Sequence, residues 1–122
     1  MINLPIFRAK RINSDEYVFG VPRQDSKGMF EMIINVVEDG IPGVIQRYIE
    51  VDTISIHFPD MLDSQSNKIF ASLQEDGKGG DIVKIRDSDF KYVYKYIKGR
   101  FMLDSLELMN PYLLFQKIGI QE

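Results

Sequence analysis

Short apolar or alternating runs separated by Gly, Pro, Asp and Asn dominate the chain, the punctuation of strands rather than of long helices. "PIFRAKRI" and "EYVFGVPR" predict two opening strands, with "NSDE" between them supplying the turn formers of a hairpin. The polar turn "DSKG", Asp25 to Gly28, leads into "MFEMIINVVE", whose continuous apolar character predicts a strand packed on both faces. "DGIPG" breaks the chain at Asp39 to Gly43. The β-branched run "VIQRYIEVDTISIHF" then predicts one long strand ended by Pro59. In it Asp52, Ile54, Ile56 and Phe58 face inward, while Val51, Thr53, Ser55 and His57 face out.

"DMLDSQSNK" has no hydrophobic period and predicts a loop. Beyond it, "DIVKI", the turn "RDSD", "FKYVYKYI", the turn "KG" and "RFMLDSLEL" predict three consecutive antiparallel strands. In the central strand Phe90, Tyr92, Tyr94 and Tyr96 share one face, and Lys91, Val93, Lys95 and Ile97 share the other. "PYLLFQKIGI" fits a last strand, while "SLELMNPYLL" equally admits a short helix, so 104–114 stays open between the two. No internal repeat is present. The fold class that follows is all-β, mainly antiparallel, with little helix.

A chain of 122 residues, 44% of them hydrophobic, has the size of one domain or of two small subdomains sharing a core. Its longest apolar runs, "MIINVV" and "YLLF", fall far short of the roughly 20 residues of a membrane helix, so no span is predicted. The N-terminal "MINLPIFRAKR" lacks the pattern of a secretion signal, and the expected location is the cytoplasm. The absence of cysteine removes disulfides, thiolate metal sites and cysteine nucleophiles, and a single histidine argues against zinc. No cofactor is expected. A formal charge of −3 speaks against a surface that binds nucleic acid throughout. The charge is uneven, however. From Lys78 to Arg100 seven basic residues stand against three acids, a local excess of four.

Four features invite a chemical reading. "DGKGGDIVKI", Asp76 to Ile85, holds glycines and a lysine, but a phosphate-cradling loop leads into a helix and carries Ser or Thr after its lysine. Here a strand follows, no hydroxyl does, and Asp76 and Asp81 repel a phosphate, so the stretch reads as a turn. Asp60, Asp63 and Asn67 offer oxygen ligands without the alternation or closing Glu of a calcium loop, and read as turn formers. His57 is the one imidazole, with Ser55 and Thr53 on its strand face, and reads as a half-exposed surface residue; a small hydrolase built on it would need a pocket around its ring. The aromatic and basic strand "FKYVYKYIKGR" has residue types that stack bases and meet phosphates. Its period nevertheless separates aromatics from lysines, which fits a core face backed by a solvated one.

The ordered pieces "IFRAKR", "EYVFG", "VDTISIHF", "DMLDSQSNKIF" and "GDIVKI" together resemble the YopX-like proteins of bacteriophages and prophages. The resemblance spans most of the chain. It departs in the inserted "ASLQEDGKG" and in the ending "KIGIQE", which lacks the family's usual Ile-Gly-Asn. What it implies is an N-terminal β half, residues 1–70, joined to a C-terminal SH3-like half-barrel, residues 71–122, in one compact unit without established catalytic residues. The expected function is that of a non-enzymatic phage accessory protein that binds another macromolecule. A phage or host protein is the favoured partner, with self-association as the alternative protein contact. The alternative is nucleic acid bound through Lys84, Arg86, Lys91, Lys95, Lys98 and Arg100.

Overall fold

A computed structural model describes residues 5–59, 61–85, 91–103, 106–107 and 115–122. The elements are β1 (Ile6–Lys10), β2 (Tyr17–Gln24), β3 (Phe30–Glu38), β4 (Ile41–Tyr48), a 3-10 turn (Val51–Thr53), β5 (Ser55–His57), β6 (Ala71–Ser72), β7 (Asp81–Ile85), β8 (Lys91–Ile97), β9 (Arg100–Leu103), β10 (Leu106–Glu107) and β11 (Phe115–Ile120). The fold is all-β, as the sequence pattern predicts. The strands run β10-β9-β8-β6-β5-β1-β2-β3-β4 across one sheet, and β7 and β11 branch from β8. The branch arises because β8 gives its first part, Lys91 to Val93, to β7 and its later residue Lys95 to β6. Among the described strands the β6–β8 contact is parallel and the rest are antiparallel.

Turn chemistry fixes two hairpins. Asp39 and Gly40 have φ of 51° and 76°, and Lys98 and Gly99 have 52° and 79°, the paired positive values of a two-residue turn whose twist matches that of its strands. The first of these turns is tighter than "DGIPG" predicts, because Ile41 to Gly43 already belong to β4. The opening β1–β2 hairpin forms as predicted.

Two predicted strands are corrected. The run from Val44 to Phe58 is not continuous: β4 ends at Tyr48, and one 3-10 turn intervenes before β5. Thr53 causes the break. Its hydroxyl donates to Glu50 O at 2.6 Å and accepts from Lys10 N at 2.9 Å, which bends the chain onto β1. In β5 the alternation of inward and outward residues also fails, since Ser55, Ile56 and His57 are all buried. A strand between β1 and β6 with chain on both faces has no outer side. In β3 the reverse holds. Glu31 and Met32 are buried, but Val37 is 71% exposed, so the strand is enclosed at its start and leaves the body at its end.

The buried side chains form two clusters. One gathers Ala9, Val18, Met32, Ile49 and Ile54 under the N-terminal strands. The other gathers Ile56, Met61, Ile69, Ala71, Val83, Tyr94 and Leu103, with Tyr92, Tyr96 and Phe101 packed against it, and so draws on residues to both sides of position 70. Phe7 touches both. The tyrosine face of β8 is therefore core; Phe90 lies outside the described residues.

The glycine stretch is a packing joint. Gly79 has φ of 83°, and a Cβ there would lie 2.1 Å from Thr53 O; one on Gly80 would lie 2.5 Å from Tyr94 O. Backbone meets backbone at both positions, which no flexible side chain relieves. Replacing Gly79 by Ala adds left-handed strain to a clash and is expected to destabilise the fold by about 3 kcal/mol or more. Gly43→Ala, at a site with open space and no positive φ, should change stability by less than about 0.5 kcal/mol. Urea denaturation of the two variants checks the contrast.

A buried ion pair beneath an aromatic cleft

Arg8 sits in the middle of β1 and is 2% exposed. Its guanidinium lies 4.5 Å from the centre of the Phe70 ring and 5.5 Å from that of Tyr17, the stacked placement a weakly hydrated planar cation favours. Nη2 donates to Gly79 O at 2.8 Å and stands 2.9 Å from Asp81 Oδ1. The Asp81 contact is Coulombic: no hydrogen bond is aligned on Oδ1, and Arg8 Nε has no hydrogen-bond partner among the described residues. Asp81 is fully buried at the start of β7. Its Oδ2 accepts from Phe70 N at 2.8 Å and lies 3.3 Å from Lys117 Nζ. One carboxylate thus holds β1, β11 and the chain leading into β6.

A cleft of about 550 Å³ opens above this pair, lined by Ile6, Phe19, Asn67, Lys68, Phe70 and Lys117. Strand alternation puts Ile6 and Arg8 on one face, and Phe19 stands opposite Arg8 across the β1–β2 ladder. The Phe19 and Phe70 rings meet at 5.6 Å, and Phe19 remains 49% exposed. The loop before β6 supplies the opposite rim. Asp63 organises it, accepting from Gln65 N and Asn67 N at Oδ1 and from Asn67 Nδ2 and Lys117 N at Oδ2. Burial alone would raise the Asp63 carboxyl, but these hydrogen bonds outweigh it and hold the group below its ordinary value. Asp63 and Asn67 therefore cap their own loop, and among the described residues no group of three or more acids and histidines could hold a metal ion. Asp60 lies outside the described residues.

His57 is buried, not half-exposed. Its Nδ1 donates to Ile69 O at 3.0 Å, which fixes the proton on that nitrogen, and its ring packs 5.4 Å from that of Phe70. The Ser55 hydroxyl donates to Arg8 O at 3.4 Å, so the two side chains serve separate backbone carbonyls. Burial, then the nearby Lys68 and Lys117 charges, push the imidazole below its ordinary value against the opposing effects of the Ile69 carbonyl and Asp81.

The basic residues singled out in the sequence are not gathered at this cleft. Lys84 and Lys91 stand directly opposite each other on β7 and β8, Lys95 donates to Glu75 O at 2.9 Å, Lys98 lies in the β8–β9 turn and Arg100 starts β9. Arg86 lies outside the described residues. In the glycine stretch, Lys78 pairs with Asp52 at 2.8 Å, and Asp81, read as a repeller of phosphate, is the counter-ion of Arg8. Sequence reading missed the Arg8–Asp81 pair; the available signal was a charged residue flanked by apolar ones in "IFRAK".

A second surface lies on the outer side of β2, β3 and β4. Registers Val21–Ile33–Gln46, Asn35–Val44 and Val37–Pro42 place these residues on the face opposite Met32 and the N-terminal core. Val21 and Val44 are each 60% exposed there, and Tyr48 is 51% exposed. Phe19, two residues before Val21 on β2, carries this face to the cleft. Comparison of the chain with models of known protein families, with curated proteins and with solved structures finds no match in any of the three. Among the described residues no helix is long and apolar enough to cross a membrane.

Two outcomes follow. Asp81→Asn leaves Arg8 buried without its counter-ion and should cost about 3–5 kcal/mol, whereas adding Arg8→Met to it should recover part of that loss; additive costs in urea denaturation would contradict the pairing. His57 has a depressed folded-state value, so its contribution to stability is complete above about pH 6.5 and is lost as pH falls toward and through that lower value. Stability measured at pH 7.5 and pH 5.5 should therefore fall more in the native chain than in His57→Gln, and equal losses would show that the imidazole takes up its proton alike in the folded and unfolded states.

Proposed function

We propose that the chain is a non-enzymatic binding module that receives a protein partner on the outer face of β2, β3 and β4. The carrying observation is the run of exposed apolar side chains at Val21, Val37 and Val44 on one sheet face, next to Ile33 and Pro42. Among the described residues its charged pair is Arg23 with Glu31 at 2.8 Å, which leaves the face without net charge and with no attraction for phosphates. Contact through the face is favoured over strand addition at the free edge. In a two-residue hairpin closed by Glu38 and Ile41, Pro42 falls where the N–H would point away from β3, and proline has none to offer.

The ordered motifs shared with YopX-like proteins support a phage or prophage accessory role in a bacterial cytoplasm. The C-terminal strands β7, β8, β9 and β11, joined by short antiparallel pairings, are what supports an SH3-like half in this reading. A second reading, nucleic acid on the basic strand, draws on one arrangement: Lys84 and Lys91 are like charges placed directly across a ladder, which an anion would relieve.

Affinity capture from a bacterial lysate tests the proposal, with the native chain beside Val37→Lys/Val44→Lys. A protein held by the native chain and lost by the variant is the expected result. Equal capture by both, or retention of nucleic acid that disappears with salt and with Lys84→Glu/Lys91→Glu, would contradict it.

A further inference from the structure

The cleft above Arg8 combines two kinds of lining. Ile6, Phe19 and Phe70 supply apolar and aromatic lining, and Lys68, Lys117 and Asn67 supply the polar part. No acid lines it. Two carboxylates are already used behind it, Asp81 by Arg8, Lys117 and Phe70 N, and Asp63 by four N–H donors. Lys68 is exposed and its ammonium makes no ion pair among the described residues.

We infer that this cleft binds a carboxylate attached to a bulky apolar or aromatic group. The charge count selects the anion. Of the two lysines that line the cleft, Lys117 is paired with Asp81 and Lys68 has no ion pair among the described residues, and one unmatched positive charge suits a single carboxylate rather than a dianionic phosphate. The donors point the same way. Phosphate sites commonly add to lysine a forked guanidinium or a row of backbone N–H groups, and the guanidinium beside this cleft lies beneath Phe70, committed to Gly79 O and Asp81. Size is consistent with a small ligand, since a volume of about 550 Å³ falls in the range of such sites. In the bound state the apolar group lies between Phe19 and Ile6 over the Phe70 edge, and the carboxylate reaches Lys68, with Lys117, already held by Asp81 and Lys68 O, beside it. Phe19, with half its surface open, gains most from the contact.

Such a group is either a free small acid or the C-terminal residue of a peptide. The inference is independent of the protein-binding face, because it predicts binding of molecules too small to cover that face. The test is an NMR titration of the full ¹⁵N-labelled chain with N-acetylphenylalanine, its uncharged amide, an N-acetylated tripeptide ending in Phe with a free carboxylate, and adenosine monophosphate. The acid should shift the amides of Phe19, Lys68 and Lys117, and the amide should bind about tenfold more weakly. Lys68→Gln, at an exposed side chain without an ion pair, should bring the acid down to the level of the amide with the rest of the spectrum unchanged. Tighter binding of the tripeptide assigns the site to chain ends, and weaker or equal binding assigns it to free acids; either supports the class. The inference is overturned if the acid shifts nothing at the cleft, if acid and amide bind alike, if Lys68→Gln has no effect, or if the nucleotide binds more tightly than the acid.

Discussion

The ion pair between Arg8 and Asp81 is the constraint on which the remaining geometry rests. A charge placed in the middle of β1 cannot be buried alone, and a carboxylate at the start of β7 cannot either. Each is tolerable because the other is there. Asp81 is also hydrogen-bonded to Phe70 N and close to Lys117, and Arg8 holds Gly79 O. The strand that opens the chain is thereby tied to the strand that follows the glycine stretch and to the last strand.

That tie explains the tightness of residues 79 and 80. The backbone must approach Thr53 and Tyr94 closely for Gly79 O to reach the guanidinium, and only residues without a Cβ allow it. Gly79 N then donates to Gln121 O, and Gln121 N to Gly80 O, closing the C-terminal end onto the same joint. The cleft inherits its floor from this arrangement. Phe70 is fixed through its amide by Asp81 and through its ring by Arg8, His57 and Phe19, so the aromatic wall is set before any ligand arrives. By contrast, the far ends of β3 and β4 extend beyond both cores and keep their apolar face in water.

Much of the fold was legible because local chemistry decided it. Asp-Gly and Lys-Gly fix their turns by backbone conformation, and the alternation of tyrosine and lysine in β8 separates core from surface whatever the partner strands are. The misreadings have a common cause, contacts distant in sequence. Thr53 breaks a β-branched run where the distant Lys10 N donates to its hydroxyl. His57 and Ser55 are buried because β5 is central in the sheet. Asp81 looked like part of a polar turn because its partner lies at the opposite end of the chain. The candidate cleft was illegible for the same reason: its walls come from β1, β2, the loop before β6 and β11, and no local spacing announces them.

If the Arg8–Asp81 joint makes the two cores one cooperative unit, native-state hydrogen exchange will show it. The amides of Val18 beside Met32, of Tyr94, and of Phe70 at the joint should open with one free energy and one denaturant dependence, both equal to those of global unfolding. Opening of the Tyr94 cluster at a distinctly lower free energy than the Met32 cluster, with Phe70 exchanging in the lower class, would show two units merely in contact and would contradict the account.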